Sequence, residues 1–439
     1  MECVIQTLRR LVPRKIFRGV SPLYHFFMAF WAALFYGFPS RRLIVIGVTG
    51  TKGKTTVVRL LHHILASSGT AVASLSSLGT RIGDVEKENP MKMTMPGRMA
   101  IQRFLHDARR AGAEYATIEV TSEGIRQFRH RFIKFQGAIV TGIHPEHIES
   151  HGSFEAYLRA KLDLFWRLPK NATAVINKDD GAWERFVAST QAAKVFYSAS
   201  EITAGGKPIP VRHVSISRDG IEFDLGQETI VSPLLGEFNL SNILAAISFA
   251  TARHISFASA ASAIGTFSGV PGRMEFIQTS PVSVVVDYAH TPESLKSVYE
   301  FLKNSRIKTQ DVKLICVLGA AGGGRDRWKR PEFGRIASQF CDTIVLTNED
   351  PYDEDPAEIV REIQSGVLKG VAAEMILDRR EAIQRALGGA LGGDTVIITG
   401  KGAEQWIMGR NGEKTPWNER EIVREETKRI FKEKFNIVV

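Results

Sequence analysis

Short apolar runs alternate with helix-like stretches through the first two thirds of the chain. The runs are continuous, whereas apolar residues recur every three or four positions in the helix-like stretches. Continuous runs are typical of strands buried on both faces, so the alternation predicts a largely parallel sheet covered by helices. The predicted strands are 43–48, 115–120, 135–141 and 172–177, and the predicted helices are 55–67, 98–111 and 154–166.

Two interruptions divide this pattern. Residues 195–235 contain short runs of alternating polarity, which predict a small antiparallel excursion. Residues 269–273 (GVPGR) form a turn-rich joint, after which a second α/β unit begins. Its predicted strands are 282–286, 314–318, 343–346 and 395–398.

The sequence therefore predicts an α/β protein of three parts. A short basic and aromatic segment spans 1–40, a central domain on a mostly parallel sheet spans 41–271, and a Rossmann-like α/β domain spans 272–439. A length of 439 residues allows two or three domains, each with its own core.

Composition adds two expectations. The net charge of +10 favours anionic partners without choosing among them. The cysteines Cys3, Cys316 and Cys341 are too few and too scattered for a disulfide framework or a zinc cluster, so we expect buried thiols in a reducing cytoplasm.

The first forty residues carry a basic cluster followed by an aromatic-rich run at 23–38. That run is shorter than the roughly 20 residues that span a bilayer, and no signal-peptide cleavage site follows it. Two interpretations of residues 9–38 stay open: a helix packed on the protein body, or a segment in peripheral contact with a membrane surface. The basic residues are Arg9, Arg10, Arg14, Lys15 and Arg18.

A glycine-rich loop links the first predicted strand to the following helix. Gly50 and Gly53 allow backbone N–H groups to close on phosphate oxygens at the positive end of that helix. Lys54 supplies a point charge for terminal phosphates, and Thr55 offers a hydroxyl to Mg²⁺. Val48 stands where the strict Walker spacing has its first glycine, but the loop still indicates a nucleoside-triphosphate site.

Other polar groups follow predicted strands. Glu119 ends a strand where α/β proteins bind ligands, so it is placed either to hold Mg²⁺ or to cap a helix. Residues 144–151 hold three histidines, which favour one nucleotide-linked metal ligand over a dedicated zinc site. Lys161 lies on the apolar face of its helix. A lysine there either extends its amino group to solvent or is held in the protein for a functional role. Residues 177–180 (NKDD) match the guanine signature of GTPases, although the glycine loop is wrong for that class.

Taken together, these stretches resemble the Mur ligases, the ATP-dependent amide-forming enzymes of peptidoglycan assembly, and most of all the MurE type, which adds the third residue of the stem peptide. The likeness runs from about residue 43 to 421, with its motifs in family order. They are 50–56 (GTKGKTT), 119–122 (EVTS), 146–147 (EH), 156–161 (AYLRAK), 236–242 (GEFNLSN), 271–275 (PGRME), 287–290 (DYAH), 326–331 (DRWKRP) and 400–404 (GKGAE).

The resemblance implies a set of site residues. Catalytic roles fall to Lys54, Glu119, His147 and Lys161. For the two Mg²⁺ ions that the resemblance implies, the ligands are Thr55, Glu119, His147 and Lys161, the last as a carbamate. ATP binding falls to Gly50, Thr51, Lys52, Gly53, Lys54, Thr55, Thr56, Asn239, Asn242, Arg273, Asp287 and His290. Substrate binding falls to Thr94, Pro96, Thr121, Ser122, Arg325, Asp326, Lys329, Arg330, Glu349, Asp350, Tyr352, Gly400 and Glu404.

The implied reaction joins a peptide carboxylate of a nucleotide-sugar precursor to a free amino acid. The carboxylate attacks the γ-phosphate of ATP and forms an acyl phosphate. The amine then attacks the acyl phosphate to give a tetrahedral intermediate, from which phosphate leaves. Diaminopimelate-adding members grip the distal carboxylate with Asp-Asn-Pro-Arg, whereas this chain has 349–352 (EDPY), with Asp353, Glu354 and Asp355 behind. An acidic loop suits an ammonium group, so we expect L-lysine or another basic amino acid.

The amino-terminal side departs most from the family. These ligases normally carry a further domain that holds the UDP-sugar, whereas here the phosphate-loop strand begins at Leu43. A lipid-linked or other non-UDP acceptor, a folylpolyglutamate-synthase-like activity, a GTPase-like switch and a non-catalytic scaffold remain as alternatives. We expect a cytoplasmic monomer, at most peripheral at the inner membrane face, without a nucleic-acid partner.

Overall fold

The structure is a computed structural model that describes residues 14–89, 93–146, 151–305, 312–324 and 326–435, with side chains from residue 21 onward. Among these residues, the predicted strands and helices are all found, each with bounds within one residue of those expected from the sequence. The α/β class with its two sheet-based units is confirmed.

The first unit, here called the central lobe, is built on one sheet of twelve strands. Their spatial order is β12-β11-β10-β9-β8-β7-β6-β1-β5-β2-β3-β4, and the six from β8 to β2 run parallel. The strands are β1 (Ile44–Thr49), β2 (Val72–Ser76), β3 (Gly79–Ile82), β4 (Val85–Glu88), β5 (Tyr115–Glu119), β6 (Phe135–Val140), β7 (Thr173–Asn177), β8 (Ala193–Tyr197), β9 (Glu201–Ala204), β10 (Lys207–Ile216), β11 (Ile221–Leu225) and β12 (Glu228–Ser232).

Antiparallel strands extend both edges of this sheet. The hairpin of β3 and β4 lies at one edge, and β9 to β12 form the antiparallel excursion predicted for residues 195–235 at the other. The helices of this part of the chain are α1 (Arg14–Phe35), α2 (Lys54–Ser67), α3 (Arg98–Arg110), α4 (Ser122–Arg126), α5 (Phe154–Trp166), α6 (Trp183–Ser189), α7 (Glu237–Ala252) and α8 (Phe257–Gly265), with a short 3₁₀ turn at Pro39–Arg42.

The second unit, the C-terminal lobe, has a six-stranded sheet in the order β13-β14-β18-β15-β16-β17, parallel except for β13. A separate hairpin pairs β19 with β20. The strands are β13 (Glu275–Gln278), β14 (Ser283–Asp287), β15 (Leu314–Leu318), β16 (Thr343–Leu346), β17 (Ala372–Met375), β18 (Thr395–Thr399), β19 (Trp406–Met408) and β20 (Lys414–Pro416). The helices are α9 (Pro292–Asn304), α10 (Lys329–Phe340), α11 (Pro356–Gln364), α12 (Arg379–Gly389) and α13 (Glu419–Phe435), with a 3₁₀ turn at Arg410–Gly412.

Each sheet has one apolar core on each face. On β1, Val45 packs into one core while Ile46 and Val48 pack into the other, because successive side chains of a strand point to opposite faces. The C-terminal sheet divides its side chains in the same way between two further cores. Leu235 is the central-lobe residue that joins a C-terminal core. The carboxyl ends of the parallel strands are thereby held rigidly, and the site is built there.

Helix α1 packs against the central lobe through one face. Ala29, Ala32 and Ala33 are buried, and the rings of Phe26 and Phe30 meet that of Phe132 at 5.1 and 5.4 Å. Within the described part of the chain, no helix combines the length and apolar character needed to cross a bilayer.

The expectation for the cysteines is wrong in one respect. Cys316 on β15 and Cys341 just before β16 form a disulfide within a core of the C-terminal lobe. A separation of 25 residues hid this pairing, because only the parallel alignment of β15 and β16 brings the two positions together. Cys3 lies outside the described residues.

Candidate active site

The glycine loop closes tightly between β1 and α2. Gly50 and Gly53 both have positive φ, +147° and +78°. A Cβ on Gly50 would lie 1.9 Å from Thr141 Oγ1, and one on Gly53 would lie 2.2 Å from Asn242 Oδ1. Only glycine fits either position, and the loop therefore presents bare backbone at the start of α2, as a phosphate cradle requires.

Side chains of the loop are held by neighbours from other elements. The backbone N–H of Thr51 donates to the Gly142 carbonyl at 2.7 Å, and its hydroxyl lies 2.8 Å from Tyr157 Oη. Lys54 Nζ donates to the carbonyls of Gly50 and Thr51 at 3.1 and 2.9 Å. Tyr157 was not singled out from the sequence, although its place one turn before Lys161 on α5 was visible.

Glu119 and Thr55 place two oxygen atoms beside the loop that could bind a metal ion. The Thr55 hydroxyl donates to Glu119 Oε2 at 2.9 Å, and the Ser77 N–H donates to the same oxygen at 3.0 Å. Lys54 Nζ lies 4.0 Å from Glu119 Oε1. A hydroxyl and a carboxylate suit Mg²⁺, which takes few protein ligands and completes its shell with phosphate oxygens and water. The described residues contain no group of three or more His, Cys, Asp or Glu placed to hold a metal.

Lys161 is buried against this loop. Its Nζ donates to the Gly50 carbonyl at 2.7 Å and lies 4.6 Å from the centre of the Tyr157 ring. Burial, reinforced by the charge of Lys54, lowers the pKa of Lys161 well below its ordinary value. The solvent-extended alternative is therefore wrong, because a side chain that is 2% exposed has no path to water.

Glu146 is the main residue that the sequence left without a role. It is buried, and its charge acts on Lys52, Lys161 and His290. His290 Nε2 lies 3.8 Å from Glu146 Oε1, so this carboxylate stands between the two lobes. Burial lowers the pKa of His290 to about 4, which keeps its imidazole neutral at physiological pH.

Further polar contacts join the lobes around the same opening. Lys52 Nζ lies 3.4 Å from Glu293 Oε2, and Arg218 donates to Ser283 Oγ at 3.2 Å. Gln405 donates to Glu88 on β4. Burial lowers the pKa of Lys52, with Glu293 and Glu146 opposing the shift. The structure therefore has its C-terminal lobe seated over the glycine loop.

A cavity of about 630 Å³ lies beside the joint between the lobes. Asn239 and Arg273 line it. Asn242 Nδ2 donates to Asn239 Oδ1 at 2.9 Å, and Asn242 Oδ1 is the atom that a Cβ on Gly53 would meet. The guanidinium of Arg273 stacks 4.1 Å from the centre of the Tyr288 ring. Asp287 is buried and accepts from the N–H groups of Met274 and Ala289, so it braces the joint. The cavity is large enough for a nucleoside.

The residues expected to bind the acceptor lie on a second side of the loop. Thr121 caps α4 by accepting from the Gly124 N–H at 3.1 Å, and Ser122 Oγ lies 3.1 Å from His151 Nε2. A Cβ on Gly124 would lie 2.3 Å from Met95 Sδ, so the loop with Thr94 and Pro96 rests on this turn.

Two arginines that the sequence did not single out border the same loop. Arg129 donates to the Met95 carbonyl, and Arg98 donates to the Gln127 carbonyl. Burial lowers the pKa of both. Their guanidinium groups place two positive charges beside Thr94–Pro96, in a suitable position for an anionic acceptor.

The C-terminal lobe contributes a cavity of about 130 Å³ that Glu146 also lines. Glu349 Oε2 is buried without a hydrogen-bond partner among the described residues. Burial, with the neighbouring charge of Asp350, raises the pKa of Glu349 to about 7. Gly400 is required here, since a Cβ would lie 2.4 Å from that same oxygen. The residues that line this cavity include five carboxylic acids, two strong bases and one histidine: Glu146, Asp326, Glu349, Asp350, Glu404, Lys329, Arg330 and His290.

Several of these charges are already paired. Lys401 is fully buried and donates to Asp350 Oδ1 at 3.1 Å and Glu404 Oε2 at 2.6 Å. Tyr288 Oη donates to the other Glu404 oxygen at 2.8 Å. Lys329 lies 2.7 Å from Asp326. Arg330 binds Glu354 and Glu362, so its charge is neutralised outside the cavity. Among these acids, Glu349 has a buried oxygen without a hydrogen-bond partner among the described residues.

The interpretation of the acidic loop behind Tyr352 needs correction. Asp353 accepts from the Asn411 N–H, Glu354 pairs with Arg330, and Asp355 caps α11. These acids are occupied by local structure. A Cβ at Gly323 would meet the Tyr352 ring at 3.0 Å, so the ring packs on the Gly323 turn, and Tyr352 is not among the residues that line the cavity.

The GTPase-like stretch also has a structural explanation. Asn177 Nδ2 donates to the Thr141 carbonyl at 2.7 Å, and Asp180 accepts from the Ile143 and Ala182 N–H groups at 2.5 and 2.8 Å. Both side chains tie the end of β7 to the segment after β6. The predicted site residues His147 and Arg325 lie outside the described residues.

Comparison with known proteins agrees with this geometry. The family model for the Mur ligase middle domain matches residues 48–250, and that for the Mur ligase glutamate ligase domain matches 272–402. A UDP-N-acetylmuramoyl-L-alanyl-D-glutamate–2,6-diaminopimelate ligase of Synechocystis sp. is 38% identical over 408 residues, 90% of this chain and 77% of the relative. The corresponding ligase of Gloeobacter violaceus is 36% identical over 405 residues, 90% of this chain and 79% of the relative.

Solved structures show the same kinship. A structure of a UDP-N-acetylmuramoyl-L-alanyl-D-glutamate–2,6-diaminopimelate ligase has a TM-score of 0.61 at 31% identity, covering 88% of this chain and 78% of that one. Folylpolyglutamate synthase of Mycobacterium tuberculosis has a TM-score of 0.69 at 18% identity, covering 87% and 92%, and shares the fold. The chain belongs to the Mur ligase family of ATP-dependent amide-forming ligases.

Proposed function

We propose that this ligase joins a basic amino acid to a peptide carboxylate of a peptidoglycan precursor. One observation carries the proposal: Glu146 acts on Lys161 beside the glycine loop and also lines the cavity of the C-terminal lobe. Glu146 Oε1 also lies 3.8 Å from His290 Nε2 of the C-terminal lobe, so one carboxylate acts on groups of both lobes, which supports a reaction between substrates that the two lobes hold. The names of the relatives, which specify a UDP-N-acetylmuramoyl peptide and 2,6-diaminopimelate, support the same substrate classes.

In the proposed reaction the acceptor carboxylate attacks the γ-phosphorus of ATP, and ADP leaves. The amine of the incoming amino acid then attacks the acyl carbon, phosphate departs, and the amine loses a proton. Lys54 and the backbone of the glycine loop hold the phosphates, while Arg98 and Arg129 offset the charge of the acceptor. Bound Mg²⁺ at Thr55 and Glu119 would supply further positive charge. The seated C-terminal lobe limits the water that would hydrolyse the acyl phosphate.

We further propose that Lys161 carries a carbamate. A neutral amine attacks CO₂, the new N–C bond forms, and one proton is released, leaving a carboxylate on the nitrogen. The lowered pKa of Lys161 supports this step, since it favours the neutral amine. The carbamate would add an oxygen donor near Thr55 and Glu119, which fits a second Mg²⁺.

For the added amino acid, the charge balance of the cavity supports a basic side chain such as that of L-lysine. Lys401 donates to both Asp350 and Glu404 and so offsets only one of their two negative charges, whereas Glu349 keeps an oxygen without a partner among the described residues. We propose that Glu349 accepts from the side-chain amino group of the incoming residue. Tyr352 stands where the diaminopimelate-adding members have arginine, so this chain has no guanidinium at that position to bind the distal carboxylate of diaminopimelate.

We also propose that the domain boundary lies at 271–272, with the central domain at 41–271 and the C-terminal domain at 272–439, preceded by the segment 1–40. Separate sheets and cores support this division. A monomeric state is part of the same proposal.

The test is a ligation screen that crosses acceptors with amino acids and detects products by mass spectrometry. UDP-N-acetylmuramoyl-dipeptide, a lipid-linked precursor peptide and a folate serve as acceptors, each with lysine, diaminopimelate or glutamate. We expect ATP-dependent product with a muramoyl peptide and a basic amino acid. Product with folate and glutamate alone, or no product with any combination, would contradict the proposal.

A further inference from the structure

The outer face of α1 is apolar, and no residue that the structure describes covers it. We define the outer stripe as Leu23, Phe27, Trp31, Leu34 and Phe35, which recur at three- and four-residue spacing along one side of the helix. Their exposed fractions are 59, 49, 57, 44 and 75%. With the adjacent Tyr24 they make up six of the eighteen large exposed hydrophobic residues in the described structure, so the exposure is concentrated here.

The helix is held in a fixed orientation. Its inner face is buried through Ala29, Ala32 and Ala33, and His25 Nδ1 lies 2.5 Å from Arg98 Nη2 of α3. The outer stripe therefore cannot be hidden by rotating the helix without breaking this packing. A large aromatic surface that stays exposed in the folded protein indicates a partner.

The charged residues near the stripe are mostly basic. Between Cys3 and Gly83 the sequence contains no Asp or Glu, while residues 3–42 contain seven Arg or Lys. Arg41 and Arg42 are exposed at the carboxyl end of the helix, and Arg14, Lys15 and Arg18 belong to its first turns. Arg103 and Arg110 are exposed on α3, which packs against α1; Asp107 pairs with Arg103.

We propose that the outer stripe and its basic border dock this protein on the surface of an anionic lipid bilayer. An amphipathic helix with aromatic residues on one face and surrounding Arg and Lys lies in the headgroup region, where Trp and Phe enter the interface and cations meet lipid phosphates. The stripe is held at the protein surface, so it enters the membrane only to the depth of its side chains. This inference does not depend on the ligase activity.

A second copy of the chain is a poorer occupant. Pairing two outer stripes about a two-fold axis would bring together two borders of the same positive sign, which repel. An anionic bilayer supplies both the apolar interior and the opposite charge.

The experiment is vesicle flotation of the full chain. Vesicles of phosphatidylcholine alone are compared with vesicles of phosphatidylcholine and phosphatidylglycerol in equal parts. We expect binding to the mixed vesicles that weakens as salt is raised, since screening acts on the basic border. The double variant Phe27→Glu/Trp31→Glu should lower the partition coefficient about tenfold or more. Arg41→Glu/Arg42→Glu should lower binding to the mixed vesicles alone.

Leu391→Glu is the matched control, because Leu391 is 60% exposed between α12 and β18 of the C-terminal lobe, whereas α1 packs on the central lobe. It should bind like the unchanged protein, and circular dichroism should show that all variants fold. Equal binding by the stripe variant and the control would overturn the proposal. Equal binding to the two vesicle types would also overturn it. A third contrary result would be a dimer, detected by light scattering, that is lost in the stripe variant while the vesicles bind neither the unchanged protein nor the variant. Ligation in detergent-free solution should be unchanged in the stripe variant, which separates this test from that of the proposed function.

Discussion

The amine of Lys161 donates to the carbonyl oxygen of Gly50 over 2.7 Å, across 111 positions of sequence. This contact fixes α5 against the glycine loop and brings a buried amine within reach of the groups that face the phosphates. Lys54 donates to the same carbonyl at 3.1 Å. Two lysines thus converge on one backbone oxygen, and their mutual repulsion favours loss of a proton from the more deeply buried one.

Lys161→Ala should lower ligation about a hundredfold to a thousandfold, because the variant loses both the amine and the proposed carbamate. Added bicarbonate should not restore it. In the unchanged protein, ¹³C-bicarbonate should give a carbamate signal by NMR that the variant lacks. Lys178→Ala, at a half-exposed lysine paired with Glu201, is the control and should keep full activity. Normal turnover in Lys161→Ala would refute the assignment.

Lys161→Met should raise the melting temperature at pH 7 in bicarbonate-free buffer. The folded protein lowers the pKa of Lys161, so the unfolded chain binds more protons and stability rises with pH up to the ordinary value of 10.5. The burial cost is largest at low pH and vanishes above 10.5. The advantage of the methionine variant should therefore shrink between pH 7 and 10 in thermal scans. An advantage that does not change with pH would show that Lys161 carries no such cost.

Glu349→Gln should raise KM for a basic amino acid about tenfold to a hundredfold, with a smaller effect on KM for ATP. The pKa of Glu349 is about 7, so in the unchanged protein KM should also rise as pH falls from 8 to 6 and the carboxylate is protonated. The glutamine variant should lack this rise. If lysine and diaminopimelate were affected alike, Glu349 would not select the added residue.

The same substitution should stabilise the fold at high pH. The pKa of Glu349 is raised in the folded state, so its ionisation costs stability fully above about pH 7, and the cost disappears as pH falls toward the ordinary value of 4.5. Chemical unfolding should show a clearly larger gain for Glu349→Gln at pH 8 than at pH 5. An equal gain at both values would indicate a packing effect.

Glu419→Gln should cost about 3–5 kcal/mol of unfolding free energy, because it leaves Arg379 buried without its partner charge. Arg379 is almost fully buried, and it also donates to the Asn348 and Thr399 carbonyls at 3.0 and 2.7 Å. Denaturant titration measures the change. Glu155→Gln breaks an exposed pair with Arg185 and should show no measurable loss.

Asn177→Ala should destabilise the central lobe without changing the preference for ATP over GTP. Its amide nitrogen donates to the Thr141 carbonyl and its amide oxygen accepts from the Asp179 N–H, so the variant loses one buried and one partly buried hydrogen bond, about 1–3 kcal/mol in total. Phosphate release with each nucleotide, measured with and without amino acid, is the readout. Faster GTP hydrolysis that needs no amino acid would revive the switch interpretation.

The sequence was sufficient for the buried parallel strands, because each is a continuous apolar run between turn signals, as at Leu314–Leu318. It did not predict β19 and β20, because strands of three residues each are too short to show a pattern of apolar positions. The short strand β17 has partly exposed residues and gave no apolar run.

Within the site, the sequence identified the residues that share a local pattern, such as the glycine loop and Lys161. It missed Glu146 as a bridge because that role depends on charges from both lobes. It also misread Asp353–Asp355, because a run of acids does not show that each one already has a local hydrogen-bond donor or cation. Long-range pairing, such as that of Cys316 with Cys341, is likewise invisible to periodicity.

Leu235 is the one described central-lobe residue that enters a core of its neighbour, and the other contacts named between the lobes are polar. Each lobe thus keeps its own apolar cores if the two lobes separate, so their separation would expose little apolar surface to water. Under the proposed function, release of the product would then require the loss of only a few polar contacts between the lobes.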